Sequence, residues 1–174
     1  MIKTIAIVGP ESSGKSSLAL ELAAYFKEPL VLEYARTYLS KQNGKYTIND
    51  LACIAKGQLE SEKKAIQKAN QLVIADTSNI DIQVWSKIKY GYTLKEIYQY
   101  EPDYIQTHYL LTEPDLPYEA GVYRERPKIE DRIEIFDTFF DLLIDNVNFL
   151  GIVNGIGEIR FKNALERINS RINI

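Results

Sequence analysis

The sequence GPESSGKS at residues 9–16 decides the fold of this chain. It fits the pattern G-x-x-x-x-G-K-[ST] of a phosphate-binding loop, the P-loop. The run IAIV at residues 5–8 precedes it and is typical of a buried parallel strand. Apolar residues recur at helical spacing over residues 17–26. The motif therefore lies between a strand and a helix, which is the context that its chemistry requires.

Each part of such a loop has a physical role. Glycines let the chain curl so that backbone N–H groups point at phosphate oxygens, and the helix N-terminus adds partial positive charge. Lys15 is expected to reach the β- and γ-phosphates of ATP, and the Ser16 hydroxyl to ligate Mg²⁺. The nucleotide-binding residues expected here are Gly9, Glu11, Ser12, Ser13, Gly14, Lys15, Ser16 and Ser17.

Composition limits the class of protein. The chain has 174 residues, of which 45% are hydrophobic and 26% charged, so we expect one globular domain over residues 1–174. The net charge of −3 argues against a nucleic-acid partner. No apolar run approaches the length of a membrane span, and the first strand begins too early for a signal peptide. With Cys53 as the single cysteine, we expect no internal disulfide and a cytoplasmic location.

Strand-like and helix-like segments alternate along the chain, which predicts an α/β domain with five parallel strands and helices on both faces. Two of the apolar runs end in a carboxylate: residues 30–32 precede Glu33, and residues 72–75 precede Asp76. Ligands bind beyond the carboxyl ends of parallel strands. The P-loop, both carboxylates and residues 154–155 are therefore expected along one rim.

Phosphoryl transfer to an alcohol requires a carboxylate that orients or deprotonates the hydroxyl. Glu33 is the first candidate, although a strand-end glutamate also pairs with a neighbour such as Arg36. Asp76 follows an apolar strand in the Walker B arrangement, near Mg²⁺, although an aspartate there also caps the next helix. Only one of the two needs to act as base, and the sequence leaves open which one.

Residues 113–128 combine proline, glycine and charged residues in a loop long enough to be functional. We expect a lid that brings Arg124 over the β- and γ-phosphates, together with Arg132 at the start of the next helix. The alternative is a solvated run of charges, because several acidic residues lie alongside the arginines.

An ordered set of motifs then resembles a known family. The set consists of GPESSGKS at 9–16, EYAR at 33–36, IAKGQ at 54–58, DT at 76–77, WS at 85–86, LLTEPDLP at 110–117, RE at 124–125, Arg132, and NG at 154–155 followed by Arg160. In these motifs the chain is similar to the ribosylnicotinamide kinase-like P-loop ATPases and kinases, which comprise the kinase domain of the bifunctional NAD-biosynthesis regulator and its stand-alone relatives. The resemblance covers nearly the whole chain.

The resemblance implies a P-loop NTPase fold of the nucleoside/nucleotide-kinase type. It implies an acceptor pocket formed by Glu33, Tyr34 and Arg36 with the middle helices, which carry Gln58 and Trp85. It also implies that Asn154 and Arg160 flank the adenine of ATP. The implied reaction is transfer of the γ-phosphate to a nucleoside hydroxyl, with nicotinamide riboside as acceptor and its mononucleotide as product.

Two positions depart from the family pattern. Leu32 stands where ribosylnicotinamide kinases usually carry an aromatic residue, and YEAGVY at 118–123 replaces the usual Trp and Asp of the lid. Two other functions therefore stay open: a kinase for another nucleoside or small alcohol, and a non-catalytic ATP-sensing regulator or ATPase. The sequence leaves the acceptor, the choice between ATP and GTP, and the oligomeric state undetermined.

Overall fold

The computed structural model describes residues 1–100 and 106–172, so residues 101–105 and 173–174 of the expected domain lie outside it. The strands are β1 (Lys3–Val8), β2 (Leu30–Val31), β3 (Leu72–Asp76), β4 (Gln106–Thr112) and β5 (Phe149–Val153). The helices are α1 (Lys15–Phe26), α2 (Tyr34–Lys41), α3 (Ile48–Ile66), α4 (Asn79–Tyr90), α5 (Lys95–Tyr98), α6 (Ile129–Leu143) and α7 (Glu158–Arg171).

The five strands form one parallel sheet in the order β2-β3-β1-β4-β5. Central β1 alternates its side chains between two apolar layers, which is why its run is apolar throughout. Ile5 and Ile7 pack with α1 and α7 on one face. Ala6 and Val8 pack with α4 and α6 on the other face. The predicted fold class is confirmed.

A third apolar cluster lies beside the sheet and joins α2, α3, α4 and α5. Its buried members are Leu51, Ile54, Ala55, Ile82 and Ile97. Because this cluster fixes α3 against α4, it supports the helices that border the site on the side away from the P-loop. Among the described helices, none is both long enough and apolar enough to cross a membrane.

One predicted boundary is wrong. Strand β2 ends at Val31, so Glu33 does not terminate a strand but is the N-cap residue of α2. The edge strand pairs only through Leu30 and Val31 with β3, and Leu32 is 69% exposed. The predicted strand was too long because Leu32 is apolar and continues the run, although the hydrogen bonds to β3 end at Val31. Glu33 still lies at the expected rim of the sheet.

Candidate active site

The P-loop has the backbone conformation that an anion site requires. Gly9 and Gly14 have φ values of +136° and +79°, which favour glycine. A Cβ at Gly9 would lie 2.6 Å from Oγ1 of Thr112, so close approach also excludes larger residues. Helix α1 begins at Lys15, and no side chain caps it. Its first N–H groups and its dipole are thus available to an anion in the loop.

Hydrogen bonds hold the loop against the end of β4. The hydroxyl groups of Ser13 and Thr112 lie 2.6 Å apart and both are buried. The Thr112 hydroxyl also donates to the carbonyl of Val8 over 3.1 Å. Nζ of Lys15 donates to the carbonyls of Gly9 and Pro10 at 2.8 and 2.7 Å. The loop is therefore fixed by its own framework.

Asp76 ends β3 next to the start of α1 and is 3% exposed. Burial raises the pKa of its carboxyl group, while a hydrogen bond from Ser16 and the charge of Lys15 oppose that rise. Its Oδ1 is buried and has no hydrogen-bond partner among the described residues. The next residue, Thr77, has a φ of 73°, a strained conformation of the kind found at functional sites.

The unpartnered Oδ1 of Asp76 and the hydroxyl oxygen of Ser16 fit a magnesium ion. A buried carboxylate oxygen without a partner lies on the same side chain that contacts the Ser16 hydroxyl. Mg²⁺ prefers oxygen ligands and binds through one or two protein groups together with waters and substrate phosphates. Within the described residues there is no cluster of three or more His, Cys, Asp or Glu side chains that could hold a metal alone. Ser16 and Asp76 would hold the ion together with phosphate oxygens.

Glu33 forms the ion pair that the sequence offered as an alternative. Its Oε2 accepts a hydrogen bond from Nε of Arg36 at 2.6 Å. Nη2 of the same arginine donates to Oγ of Ser16 at 3.2 Å. The ion pair does not remove Glu33 from the site. A continuous chain of contacts instead joins this carboxylate to the Ser16 hydroxyl.

A cavity of about 860 Å³ extends from the P-loop to the helices α2, α3 and α4. Besides residues 9–17, its lining includes the predicted residues Glu33, Arg36, Gln58, Trp85 and Arg124. The described lining does not include five other predicted residues, which are Tyr34, Asp76, Arg132, Asn154 and Arg160. The structure therefore brings most of the predicted site together. Of the five residues outside the lining, Asp76 still contacts Ser16 of the P-loop.

Tyr34 lies behind the cavity wall. Its ring packs so closely on Gly57 of α3 that no Cβ fits there. Its backbone N–H donates to Oε1 of Gln58 at 2.9 Å, and Nε2 of Gln58 donates to the carbonyl of Thr77 at 3.4 Å. These contacts tie the start of α2 to α3 and to the end of β3. Tyr34 therefore faces α3, and the described cavity lining does not support its predicted contact with the acceptor.

Arg132 and Arg160 are each 4% exposed and brace the loops. Nη1 of Arg132 donates to the carbonyl of Leu116 at 3.0 Å and to that of Ser12 at 3.5 Å. Arg160 pairs with Asp115 and donates through Nε to the carbonyl of Gly155 at 2.8 Å. Nη1 of Arg132 therefore connects the P-loop to the base of the lid, whereas its buried Nε has no hydrogen-bond partner among the described residues.

The β5–α7 loop lies close to the P-loop through one of these arginines. A Cβ built on Gly14 would lie 3.7 Å from Cδ and Nε of Arg160. Asn154 itself is exposed, and Nδ2 of Asn163 donates to its Oδ1 at 3.0 Å. Arg160 thus remains next to the nucleotide loop, whereas Asn154 is held at the surface outside the described lining.

The expected lid, residues 113–128, contacts the P-loop at two points. The Ser12 hydroxyl lies 3.2 Å from the N–H of Glu119, and the Glu11 carboxylate accepts from the N–H of Glu125 at 3.0 Å. Burial raises the pKa of Glu11, and the N–H groups of the lid partly offset that rise. Nη1 of Arg124 donates to the carbonyl of Glu119 at 2.5 Å. The segment is therefore seated over the loop, with Arg124 at the cavity.

Sequence reasoning missed Asp81, a third carboxylate at this site. Asp81 lies in the first turn of α4 and lines the cavity. Its Oδ2 accepts the N–H of Ser78 at 2.9 Å. Burial raises its pKa to about 7, and the charges of Glu33 and Asp76 act in the same direction, while Lys15 opposes them. The only local signal was Ser-x-x-Asp, a capping box, which indicates a helix start without indicating a site.

Tyr46 was missed as well. It lines the cavity from the loop before α3, and its hydroxyl accepts a hydrogen bond from Nε1 of Trp85 at 2.5 Å. The ammonium of Lys89 lies 3.9 Å from the centre of the Tyr46 ring and pairs with Glu125 of the lid at 3.2 Å. This loop therefore fixes the Trp85 indole and, through Lys89, links α4 to the lid.

Comparison with known proteins identifies the family of this chain and several proteins that resemble it. The family model described as an AAA domain matches residues 4–157. The trifunctional NAD biosynthesis/regulator protein NadR of Escherichia coli (strain K12) is 27% identical in an alignment 172 residues long, which covers 96% of this chain and 42% of the relative. The chain thus spans about two fifths of the length of this curated relative.

Solved structures share the fold. NadR in complex with NAD and AMP-PNP superposes with a TM-score of 0.74 at 21% identity, covering 99% of this chain and 51% of that chain. NadR in complex with NR gives 0.75 at 19% identity over the same shares. Thymidylate kinase from Ehrlichia chaffeensis gives 0.65 at 17% identity and covers 97% of both chains. The predicted resemblance is confirmed, and these structures support the parallel-sheet P-loop fold.

Proposed function

The chain belongs to the AAA-domain family, and from this we propose that it is an ATP-dependent kinase for a nucleoside hydroxyl, with nicotinamide riboside as its acceptor. The main support for this proposal is the chain of contacts from Glu33 through Arg36 to Ser16. It joins a carboxylate on the acceptor side of the cavity to the hydroxyl on the magnesium side of the P-loop. A regulator that only binds ATP has no need of an acceptor cavity with a carboxylate in its wall.

The nucleotide half follows from the P-loop. Residues 9–17 offer N–H groups and a helix N-terminus to the phosphates, and Lys15 supplies the cation for the β- and γ-phosphates. Ser16 and Asp76 would hold Mg²⁺, which supplies charge neutralisation at the transferred phosphoryl group when it is bound. NadR, whose fold this chain shares, has been crystallised with AMP-PNP, which supports ATP as the phosphate donor. Arg160, beside Gly14, is proposed as a wall of this half.

The acceptor half supplies the base. Glu33 takes the proton of the acceptor hydroxyl while the hydroxyl oxygen bonds to the γ-phosphorus and the bond to the leaving ADP breaks. Arg36 holds the Glu33 carboxylate in place at 2.6 Å. Arg124, carried by the lid at the cavity, stabilises the charge on the migrating group. Water is excluded when residues 113–128 are seated on the P-loop.

The relatives support the choice of acceptor. NadR has been crystallised with NR, and the curated relative is a NAD biosynthesis protein. Gln58 and Trp85 line the acceptor half of the cavity and are proposed as contacts of the nucleoside. We further propose that residues 1–174 form a single kinase domain whose partners are a nucleotide and a small-molecule acceptor.

The test is a product assay. Protein, Mg-ATP and a panel of ribonucleosides that includes nicotinamide riboside are incubated, and phosphorylated products are identified by mass. We expect nicotinamide mononucleotide in the wild-type reaction and none with Lys15→Ala, the matched control that keeps the cavity. Turnover of another nucleoside alone would transfer the assignment to that substrate. Binding of ATP without any phosphorylated product would favour the regulator.

A further inference from the structure

Asp81 lines the cavity from the first turn of α4. The N–H of Ser78 fixes Oδ2, which sets the direction of the side chain. Oδ1 accepts no hydrogen bond within the described residues. Trp85 lies four residues further along α4, so the two side chains are neighbours on one helix face, and both line the cavity. A carboxylate thus stands next to an aromatic ring.

The indole of Trp85 is restrained by a hydrogen bond to Tyr46. Nε1 donates to the Tyr46 hydroxyl at 2.5 Å, which restrains the nitrogen-bearing edge of the ring. The Tyr46 ring already carries the ammonium of Lys89 at 3.9 Å from its centre. Trp85 is therefore the aromatic side chain to which we assign a stacked ligand.

Asp81 has no cationic partner within ion-pair distance among the described residues. Glu33 is paired with Arg36, whereas none of the ion pairs within the described residues includes Asp81. Lys15 attracts it from the P-loop, and the carboxylates of Glu33 and Asp76 repel it. A positively charged ligand would supply the missing partner, and a phosphorylated one would add to the repulsion.

We propose that Asp81 determines the charge of the acceptor: the subsite binds a cationic ring stacked on Trp85, with its positive charge beside the Asp81 carboxylate. The proposal rests on the proposed function and names the feature that the acceptor ring must have. A pyridinium nucleoside has this feature, since it combines a flat cationic ring with a ribose. Cations are attracted both to the face of an indole and to a carboxylate. Nucleoside monophosphates are disfavoured at the same subsite.

The test measures ligand binding without ATP. Nicotinamide riboside carries a cationic ring, and its dihydro form has nearly the same shape without the charge. Dissociation constants of both are measured by calorimetry for the wild type, Asp81→Asn and Asp50→Asn. Asparagine keeps an oxygen for the Ser78 N–H. Asp50 is the matched control, because it occupies the same capping-box position on α3 outside the described cavity lining. Melting temperatures establish that each variant is folded.

Fluorescence provides a second readout, because Trp85 is the single tryptophan of the chain. We expect saturable quenching by the cation and tighter binding of the cation than of the dihydro form. Asp81→Asn should weaken the cation about tenfold and leave the uncharged form unchanged, which corresponds to the loss of one partly screened charge pair. Asp50→Asn should change neither.

Equal affinities of the two forms in the wild type, or an unchanged ratio in Asp81→Asn, would overturn the proposal. Its failure is separate from that of the proposed function, because this assay requires no phosphoryl transfer. Selective binding of the cation without product formation supports the subsite and removes the kinase. Product formation with an unchanged affinity ratio in Asp81→Asn supports the kinase and removes the subsite.

Discussion

Replacing Asp81 with asparagine should stabilise the protein without ligand, although we assign this residue to the acceptor. Burial raises the pKa of the carboxyl from 3.8 to about 7, so its ionised form is disfavoured in the folded state. One pK unit corresponds to about 1.4 kcal/mol, which makes the upper bound about 4 kcal/mol. Because the side chain lines a cavity, water screens part of this penalty, and we expect ~1–3 kcal/mol. Asparagine has no charge to desolvate and retains the contact with Ser78.

The upward direction of the Asp81 pKa shift determines how the free energy of unfolding depends on pH. The folded pKa lies above the unfolded one, so the folded state holds the proton more tightly and loses stability as pH rises from about 4 to about 7. The difference in unfolding free energy between variant and wild type should be small near pH 4, grow up to pH 7, and stay constant above it. Urea unfolding at several pH values between 4 and 8 measures it.

Asp50→Asn provides a control with the opposite sign. Hydrogen bonds from Tyr38 and Thr47 lower the pKa of Asp50, so its ionised form stabilises the fold. This variant should therefore be less stable than the wild type at neutral pH. If Asp81→Asn were also less stable at pH 8, or if its gain were independent of pH, the claim that the ionised Asp81 carboxylate destabilises the folded protein would be wrong.

Three further predictions concern the reaction. Lys15→Ala should abolish turnover and reduce the thermal stabilisation by Mg-ATP, because the phosphates lose their cation; full turnover would refute the role of the P-loop. Glu33→Gln should lower kcat by ~10²–10⁴ with ATP binding retained, because the base is lost. Asp76→Asn should instead raise the Mg²⁺ concentration that turnover requires. If kinetics showed each effect at the other residue, the two roles would be exchanged. Glu11→Gln should weaken the hydrogen bond from the Glu125 N–H, so hydrogen exchange across residues 113–128 should become faster. Unchanged protection would show that this hydrogen bond does not hold the segment on the P-loop.

The sequence was informative where structure is local. A strand, a glycine-containing loop and a helix follow one another in the P-loop, and the φ values of Gly9 and Gly14 are those that the pattern requires. Asp76 ends its strand as predicted, because a fully buried strand is a continuous apolar run. Contacts between distant segments were not predictable. Thr112 anchors Ser13 across 99 positions of the chain, and no local pattern signals that pair.

The arginines illustrate the same limit. Charge and position suggested that Arg124 and Arg132 both face the phosphates. The direction of each side chain depends on the packing of α6 and the lid, which turns Arg132 towards the carbonyls of Ser12 and Leu116 and leaves Arg124 at the cavity. Asp81 was missed for the related reason that a capping aspartate looks the same in sequence whether or not a cavity lies beside it.

The charges of the site divide it into two halves with different requirements. On the nucleotide side, Lys15 and the N-terminus of α1 attract anions such as phosphate groups. The carboxylate of Asp76 fits the role of a metal ligand there. On the acceptor side, Arg36 neutralises Glu33, while Asp81 has no cationic partner among the described ion pairs. An unbalanced charge that destabilises the free protein is retained when a ligand uses it, because stability and function then oppose each other at that residue. The stability of Asp81→Asn and its selectivity for a cation should therefore change in opposite directions, and a variant that improved both would separate the buried charge from the acceptor.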